Sequence, residues 1–389
     1  MKSKNKRIII FLPWYGYGGS TLYLGQYVSY LVKNGYTVFA VCRKKEAGSD
    51  YLSSLGAIIK ISHFPFALNF TALDIYSDSI KKRLIDCIKL FFGFFIALNF
   101  IIKLKVNRVI IGEFCQIPVI LASILTKKRT ICIFQTSISN SKAKRKVLFF
   151  LLKKVQVIIG ITKLHVKDLP FEHKTFEVPN IYAPNKSLNS MNIPFEGFGN
   201  KKLIVFVGGN SRIKGTIHFV NIALELLKIR NDLRIVIIGR FHRNFNFKYA
   251  QGLDDADYKY NRQVVDLIGK HIDNEIFYIG EINNVDCWLR DSELLINTSI
   301  YPHFSRPIVE AWASNTLVAA FEDNYTKYMC HNRESILFLT KDNDSISAKA
   351  IDNLLNDENT RITMIESGKK TYEEFYSQQV FSNIMEKIF

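Results

Sequence analysis

The stretch that decides the fold runs from residue 294 to residue 320 and has the sequence LLINTSIYPHFSRPIVEAWASNTLVAA. An apolar segment ends at Asn297, a polar loop follows, and a second apolar segment begins at Leu317. Between them, Ser305 and Pro307 give a helix start signal, because serine is a favoured N-cap residue and proline fits the first turn. The pattern predicts a strand, a loop, a helix and a second strand.

The start of this predicted helix has the features of an anion site. A helix N-terminus carries partial positive charge, and Arg306 adds a full charge beside it. At the carboxyl edge of a parallel sheet, such an end suits a phosphate or a diphosphate. Glu310 follows about one turn later, where its carboxylate either accepts hydrogen bonds from sugar hydroxyls or only complements the helix dipole.

Length and composition predict two folded domains. The chain has 389 residues, of which 48% are hydrophobic and 22% are charged, and this length exceeds what one hydrophobic core usually supports. A segment rich in Asn, Ser, Gly and Pro, without any period, is typical of a linker. We expect an N-terminal domain over 1–185, a linker over 186–200, a C-terminal domain over 201–370, and a C-terminal helix over 371–389 that packs back on the N-terminal domain.

Cysteine and histidine usage indicates a reducing compartment and no metal site. The six cysteines are scattered without a CxxC pair, and the eight histidines form no HExxH motif. The apolar run near the basic N-terminus, in MKSKNKRIIIFLPWYG, is too short for a signal peptide, and no small-residue cleavage site follows it. The sequence therefore predicts a cytoplasmic protein.

Positive charge is concentrated in the first half of the chain. Residues 1–185 hold 28 Lys and Arg against 9 Asp and Glu, whereas residues 186–389 hold 24 against 26. The basic residues are interleaved with Phe, Leu and Ile, and no zinc-finger or RNP-like spacing occurs. This distribution favours an anionic membrane surface over nucleic acid as the partner of the first domain.

Two stretches in the basic half concern the membrane. Residues 84–102, LIDCIKLFFGFFIALNFII, are the most apolar, and because Lys89 and Asn99 interrupt them, a helix packed on the sheet is favoured over one in contact with a bilayer. Residues 141–154, SKAKRKVLFFLLKK, combine cations with bulky apolar side chains. That pattern fits a helix lying on an anionic surface, and it also fits a solvated amphipathic helix.

Both predicted domains open with a strand, a glycine turn and a helix. In the first, Gly18 and Gly19 follow the apolar run RIIIFL; in the second, KKLIVFVGGNSRIKG contains the cations Arg212 and Lys214. Repeated alternation of this kind predicts doubly wound α/β domains. Glycine lets backbone N–H groups approach an anion, although Gly-Gly turns also occur for steric reasons alone, and the spacing is not GxGxxG, so no dinucleotide is inferred.

These features together resemble the glycosyltransferases of the GT-B fold and the GT4 type, over nearly the whole chain and most strongly from Leu203 to Ala320. The resemblance implies two Rossmann-like domains that face a central cleft. In that family the VGxxxxxKG turn supplies a lysine to the donor diphosphate, here Lys214, and the second Glu of a Glu-x7-Glu motif binds the ribose, here Glu310. The VPN sequence at 178–180 matches the segment that closes the first domain.

The chain departs from the family pattern at three positions. Pro302 stands at the first Glu of the motif, so the usual carboxylate near the donor sugar is missing and the adjacent His303 becomes the candidate catalytic residue. Gly209 replaces the Arg that normally follows the first Gly of the lysine turn, and Gln135 stands where a His is common after the fifth strand. The expected donor-binding residues are Gly18, Gly19, Gly209, Arg212, Lys214, Ser305, Arg306 and Glu310.

The resemblance implies transfer of a sugar from a nucleotide-sugar to a lipid-linked or saccharide acceptor in bacterial surface polysaccharide biosynthesis, such as O-antigen or capsule. It also implies retention of anomeric configuration. The leaving diphosphate needs charge stabilisation, which Lys214, Arg212 and Arg306 can supply without a metal or another cofactor. We expect a cytoplasmic enzyme bound peripherally to the inner face of the plasma membrane.

The alternative is a non-catalytic GT-B-like partner that binds nucleotide or glycan and supports another glycosyltransferase. Lys214 and Glu310 favour the enzyme, whereas Pro302 favours the non-catalytic partner.

Overall fold

The computed structural model of the chain describes residues 6–13, 18–68, 70, 80–184, 201–240, 255–282 and 285–389. The chain divides into two compact units, one formed by Met1–Ile181 with Phe381–Phe389 and the other by Tyr182–Val380. The expected linker at 186–200 lies outside the described residues. The chain returns from the second unit to the first between Val380 and Phe381. Residue 371, the expected start of the C-terminal helix, lies inside a helix that runs to Phe375.

The N-terminal unit is built on a seven-stranded parallel sheet. Its strands are β1 (Arg7–Phe11), β2 (Thr37–Cys42), β3 (Ile58–Ile61), β4 (Arg108–Ile111), β5 (Arg129–Phe134), β6 (Val157–Gly160) and β7 (Thr175–Glu177). In space they follow the order β3-β2-β1-β4-β5-β6-β7, and β1 pairs in parallel with both β2 and β4. The strand order therefore reverses at β1, which is the arrangement of a Rossmann-like domain.

Helices surround this sheet. They are α1 (Gly19–Lys33), α2 (Ala47–Ser54), α3 (Ile80–Lys103), α4 (Ile117–Leu125), α5 (Lys142–Leu152) and α6 (Lys163–Val166). The inner strands are largely apolar because helices cover the sheet. Residues of α3, α4 and α5 share one buried core with β4 and β5. Gly93 of α3 lets this helix approach Pro118 of α4 closely.

The last residues of the chain complete the N-terminal unit. Helix α14 (Gln378–Ile388) buries Phe381 and Ile388, and the Phe381 ring lies edge-on to Tyr27 at a centroid distance of 5.4 Å. The Arg129 guanidinium donates a 2.7 Å hydrogen bond to the carbonyl of Ile388. Residues 381–389 thus belong to the same core as the first 181 residues.

The C-terminal unit is built on a six-stranded parallel sheet. Its strands are β8 (Lys202–Val207), β9 (Leu233–Ile238), β10 (Ile276–Gly280), β11 (Leu294–Asn297), β12 (Leu317–Phe321) and β13 (Leu337–Leu339), in the spatial order β10-β9-β8-β11-β12-β13. The helices are α7 (Thr216–Ile229), α8 (Asp255–Ile268), α9 (Val285–Arg290), α10 (Arg306–Ala313), α11 (Asn324–Met329), α12 (Asp344–Asn356) and α13 (Glu358–Phe375). The predicted fold class, α/β with two doubly wound Rossmann-like domains, is confirmed.

The stretch 294–320 forms β11, α10 and β12 as predicted. Helix α10 is held from behind by α13, because Gly368 leaves room for the buried ring of Trp312, which a Cβ at that position would overlap. The Trp312 indole N–H also donates to the carbonyl of Ser335 at 3.0 Å. Strands β8 and β11 are neighbours and parallel, so the loops that follow them meet at one edge of the sheet.

Candidate active site

Two loops form the candidate site at the carboxyl edge of the C-terminal sheet. One follows β8 and spans residues 208–215; the other follows β11 and spans residues 298–305. They are joined by Ile300 N–H, which donates to Ile213 O at 3.1 Å, and by Thr298 Oγ1, which donates to Gly215 O at 3.0 Å. Gly215 has φ +69°, and a Cβ there would overlap the Thr298 carbonyl, so this close approach requires glycine.

Gly209 serves the turn itself. Its φ is +59°, and a Cβ there would overlap the backbone of Arg240. Its N–H donates to Ile238 O at 2.9 Å, while its carbonyl accepts a 2.9 Å hydrogen bond from the Thr216 hydroxyl. The backbone N–H of Gly209 is thus used within the edge of the sheet, and the expectation that Gly209 lies in the donor-binding loop stays a prediction.

Lys214 and His303 come together from the two loops. The Lys214 ammonium lies 2.6 Å from His303 Nε2, and His303 Nδ1 lies 2.7 Å from the carbonyl of Tyr301. Because a carbonyl can only accept, Nδ1 carries the proton and donates it to Tyr301, and Nε2 accepts from the ammonium. Both ring nitrogens of the candidate catalytic histidine are thus engaged, and His303 orients Lys214.

The electrostatics of this pair follow from burial. Burial lowers the pKa of Lys214 to about 8, because the charged amine loses hydration. Burial first, and then the neighbouring Lys214 ammonium, lower the pKa of His303 to about 4. At neutral pH the imidazole is therefore neutral and the lysine is mostly a cation, which is the state that the hydrogen bond between them requires.

Arg306 and Glu310 form a second charged pair at the start of α10. Arg306 Nε donates to Glu310 Oε1 at 2.7 Å, and both side chains are largely buried, at 16% and 11% exposure. The Arg306 guanidinium also lies 5.8 Å from the ring centroid of Tyr182. This pairing fixes the carboxylate expected to bind ribose and the cation expected to bind phosphate next to each other, one turn apart on the helix.

Ser305 occupies the N-cap position of α10, but its side chain does not cap the helix. Its hydroxyl instead accepts a 2.6 Å hydrogen bond from Asn297 Nδ2. Asn297 Oδ1 in turn accepts from the backbone N–H and the hydroxyl of Ser299. The prediction that the Ser305 side chain caps α10 is therefore wrong, since its hydroxyl is hydrogen-bonded to the buried amide of Asn297 at the end of β11.

Arg212 lies on the outer side of the first loop. The residue is exposed, and its guanidinium lies 5.5 Å from the ring centroid of Tyr260 in α8. Asn210 in the same loop donates from its side-chain amide to Asn261, also in α8. Helix α8 thus supports the loop that carries Lys214.

Gly18 and Gly19 are the expected donor residues of the N-terminal unit. Gly18 is the N-cap residue of α1 with an extended backbone, φ −175°, and Gly19 begins that helix. A Cβ added at either position would meet nothing within 4 Å. Among the residues that the structure describes, no steric crowding therefore requires glycine at these two positions.

A buried carboxylate that the sequence reasoning missed lies at the carboxyl edge of the N-terminal sheet. Glu113 follows β4, is fully buried, and accepts hydrogen bonds from the Gln135 N–H at 3.1 Å and from the Thr136 hydroxyl at 3.3 Å. Gln135, at the family's histidine position, donates from its side chain to Gly112 O at 2.7 Å. Burial raises the pKa of Glu113 to about 8. An acid placed two positions after the apolar run RVII, behind Gly112, was the available signal.

No group of three or more His, Cys, Asp and Glu side chains suited to a metal ion occurs among the residues that the structure describes. Lys214 and the Arg306–Glu310 pair follow adjacent parallel strands, so the C-terminal sheet presents an ammonium, a guanidinium and a carboxylate at one edge. A diphosphate bound to a sugar carries the complementary groups.

Comparison with known proteins defines the class. Residues 192–371 match the family model described as glycosyl transferases group 1. The solved structure of a glycosyltransferase from Rickettsia africae superposes with TM-score 0.76 at 17% identity, over 99% of this chain and 98% of that one. HepE from Anabaena, in complex with UDP-glucose, superposes with TM-score 0.72 at 13% identity, over 98% and 99%. Sucrose-phosphate synthase from Thermosynechococcus elongatus gives 0.68 at 13% identity, over 98% of each chain.

At these identities the solved structures establish the fold, which is GT-B. No curated protein matches the chain. The family match covers the domain that holds Lys214, Arg306 and Glu310. The chain is accordingly a glycosyltransferase with the GT-B fold, and its C-terminal domain is of the group 1 type, as the sequence resemblance implied.

Proposed function

We propose that the protein transfers a sugar, with retention of configuration, from a nucleotide-sugar to a lipid-linked or saccharide acceptor. The pathway we propose is bacterial surface polysaccharide biosynthesis, such as O-antigen or capsule assembly. The enzyme works in the cytoplasm, bound peripherally to the inner face of the plasma membrane. The observation that carries the donor part is the placement of Lys214 and the Arg306–Glu310 pair after the adjacent parallel strands β8 and β11 of the C-terminal sheet.

The charges of this edge support binding of a nucleoside diphosphate. Lys214 donates to the diphosphate, since its ammonium is already oriented by His303 and two of its three protons remain for a ligand. Glu310 accepts from the ribose hydroxyls while Arg306 holds its other side. HepE binds UDP-glucose, which supports a uridine diphosphate sugar as the first donor to test.

The same cations support catalysis. Departure of the nucleoside diphosphate builds negative charge on its oxygens, and fixed positive groups that are already in place stabilise that charge without reorganisation. Lys214, Arg306 and, from the outer side of the loop, Arg212 fill this role in our proposal, so that no metal and no other cofactor is needed. His303 acts through Lys214, since both of its ring nitrogens are engaged.

The acceptor side rests on the N-terminal unit. Gly18 and Gly19 leave open space at the start of α1, where a donor phosphate or an acceptor hydroxyl can approach the backbone. The excess of positive charge in residues 1–185 supports an acceptor held at an anionic membrane surface, because each cation near such a surface adds about 1 kcal/mol of attraction.

Release of nucleotide from a donor panel tests the proposal. The protein is incubated with UDP-, GDP- and dTDP-sugars, and free nucleotide is measured over time. We expect release with one nucleotide class, its loss in Lys214→Ala, and its retention in Lys228→Ala, which removes an exposed lysine from the far end of α7. If no donor in the panel is either bound or cleaved, the proposed function is wrong.

Pro302 favours one other function. It stands where the family has a carboxylate near the donor sugar, so a non-catalytic partner would retain nucleotide binding through Lys214 and Glu310 without turnover. Calorimetry with the same donors separates the two functions. Tight binding of a nucleotide-sugar that is never cleaved, with or without saccharide and lipid-linked acceptors, would identify the non-catalytic partner.

A further inference from the structure

Helix α3 has an apolar outer face. Although the sequence favoured a helix packed on the sheet, much of α3 is exposed, and only 17% of its most apolar 18-residue window is buried. The exposed residues recur at helical spacing, and five of them are more than half exposed. This face, called the α3 face below, consists of Leu84, Ile85, Ile88, Phe91, Phe92, Phe95 and Ile102.

The opposite side of α3 belongs to the core of the N-terminal unit. Ala97 and Ile101 are fully buried, and Gly93 packs against Pro118 of α4. Among the described residues, α3 is the one helix long and apolar enough to span a bilayer. A helix that crossed the bilayer would have to leave this core, whereas one lying along its surface keeps the core and covers the outer face. At 24 residues it is about 36 Å long.

Cations lie at the C-terminal end of the α3 face and on helix α5. Lys105 and Lys128 line one surface depression together with Ile102, at the C-terminal end of the face. Helix α5 in the same helical layer adds two further exposed apolar residues, Val147 and Phe150, beside its own lysines. The one acid of α3, Asp86, is paired with Lys89 at 3.8 Å. The layer thus presents large apolar side chains next to positive charge at the C-terminal end of α3 and on α5.

We propose that the α3 face inserts into the interfacial region of an anionic bilayer, with Lys105, Lys128 and the basic residues of α5 at the level of the lipid headgroups. Helices that lie in the interface combine Phe, Leu and Ile on one side with Lys and Arg at the edges. Protein interfaces, in contrast, are depleted in lysine. This inference rests on the proposed function and deepens it by naming the membrane-binding surface. It divides membrane binding into an apolar contribution that resists salt and an electrostatic contribution that salt weakens.

Vesicle sedimentation tests the proposal with the full-length protein. The variant Ile88→Gln, Phe91→Gln, Phe95→Gln removes the centre of the face and leaves the core untouched. We expect it to bind vesicles of phosphatidylcholine and phosphatidylglycerol at least about tenfold more weakly than the wild type. The matched control Ile229→Gln, Ile346→Gln, Ile362→Gln removes three similarly exposed isoleucines from helices of the C-terminal unit, and it should bind like the wild type.

Changing the salt concentration and removing charged residues isolate the electrostatic contribution to vesicle binding. Changing Lys142, Lys144, Arg145 and Lys146 to Gln should weaken binding at low salt and have little effect at about 0.5 M salt, where charges are screened. The wild type should retain part of its binding at that salt concentration through the α3 face. Binding that vanishes completely at high salt would mean that only charge holds the protein to lipid, and would overturn the insertion.

Fluorescence quenching locates the helix directly. Tryptophan introduced as Phe95→Trp should be quenched by brominated acyl chains, whereas Ile346→Trp in the C-terminal unit should not. Unchanged sedimentation of the α3 variant, or no quenching at position 95 while the protein is bound, would refute the proposal. A face covered instead by a second copy of the chain would show as a dimer by light scattering, and that result also overturns it. Nucleotide release measured on the same samples reports separately on the proposed function.

Discussion

The charge on Lys214 should make nucleotide binding depend on pH. Burial lowers the pKa of this amine to about 8, whereas the pKa of a lysine in water is about 10.4. A bound diphosphate requires the protonated form, so the free protein must take up a proton to bind whenever pH exceeds 8. Affinity for a nucleoside diphosphate should therefore fall as pH rises from 7 to 9, a range in which an ordinary lysine would cause no change.

The size of the effect follows from linkage. With a pKa of about 8 in the free protein and full protonation in the complex, the apparent Kd should rise about tenfold between pH 7 and pH 9. Replacing Lys214 with Ala removes a charge-assisted hydrogen bond and should cost about 1.5 to 3 kcal/mol, or about 10- to 150-fold in affinity at pH 7. The variant should lose most of the pH dependence as well.

Isothermal titration calorimetry with UDP at pH 7, 8 and 9 measures both effects on one set of samples. Proton uptake can be read independently by repeating the titration in buffers of different ionisation enthalpy. Lys228→Ala serves as the control, since that lysine is exposed and pairs only with Glu225 among the described ion pairs. A Lys214→Ala protein with unchanged affinity, or with the same pH dependence as the wild type, would refute the role of Lys214.

Four further predictions concern single residues. Glu310→Ala should weaken nucleoside diphosphate binding by about 1.5 to 3 kcal/mol in the same calorimetry, because the ribose loses a charged acceptor. The wild-type melting temperature should fall as pH drops from about 6.5 to 4, because folding holds the pKa of His303 at about 4; His303→Gln should show a shallower fall. Glu113 has its pKa raised to about 8, so stability should decline as pH rises from about 4.5 to 8, and Glu113→Gln should lack that contribution in thermal melts. Gly215→Ala should lower both melting temperature and nucleotide affinity because the Cβ overlaps Thr298, whereas Gly18→Ala should melt like the wild type. Equal behaviour of the two glycine variants would contradict the loop geometry.

The fold was predictable because its signals are local. Strand β11 ends in a polar loop, Pro307 lies in the first turn of α10, and both domains repeat strand, glycine turn and helix. Periodicity and helix start signals depend only on residues close in sequence, so they can be recognised without knowledge of the tertiary structure.

The details of the site depend on contacts between distant residues. His303 was predicted to meet the donor sugar, but Lys214, 89 residues earlier in the chain, takes its Nε2. Ser305 lost its capping role to Asn297, and the N–H of Gly209 is taken by Ile238. The partners of His303 and Gly209 are fixed by strand order, which no local pattern specifies, whereas that of Ser305 is set by the path of the loop between β11 and α10.

For helix α3, the sequence could not identify which face is buried. Its residues are apolar on all sides, so the sequence has no periodic contrast that would identify the buried face. The structure supplies that information through the residues that pack on α4 and the sheet, and the remaining apolar face is then exposed. Glu113 was missed for the opposite reason, because a single acid after a strand is too small a signal to separate from a surface residue.

The buried C-terminal segment has a consequence for biosynthesis. Tyr27 packs against Phe381, and Arg129 donates a hydrogen bond to Ile388, so residues far apart in the sequence share one core. The ribosome makes residues 182–380 between them. The first unit therefore emerges before residues 381–389 can pack on α1 and on Arg129 at the start of β5, and the second unit can fold before that core is completed. Chaperone binding to nascent chains should persist at the first unit until residues 381–389 have left the exit tunnel.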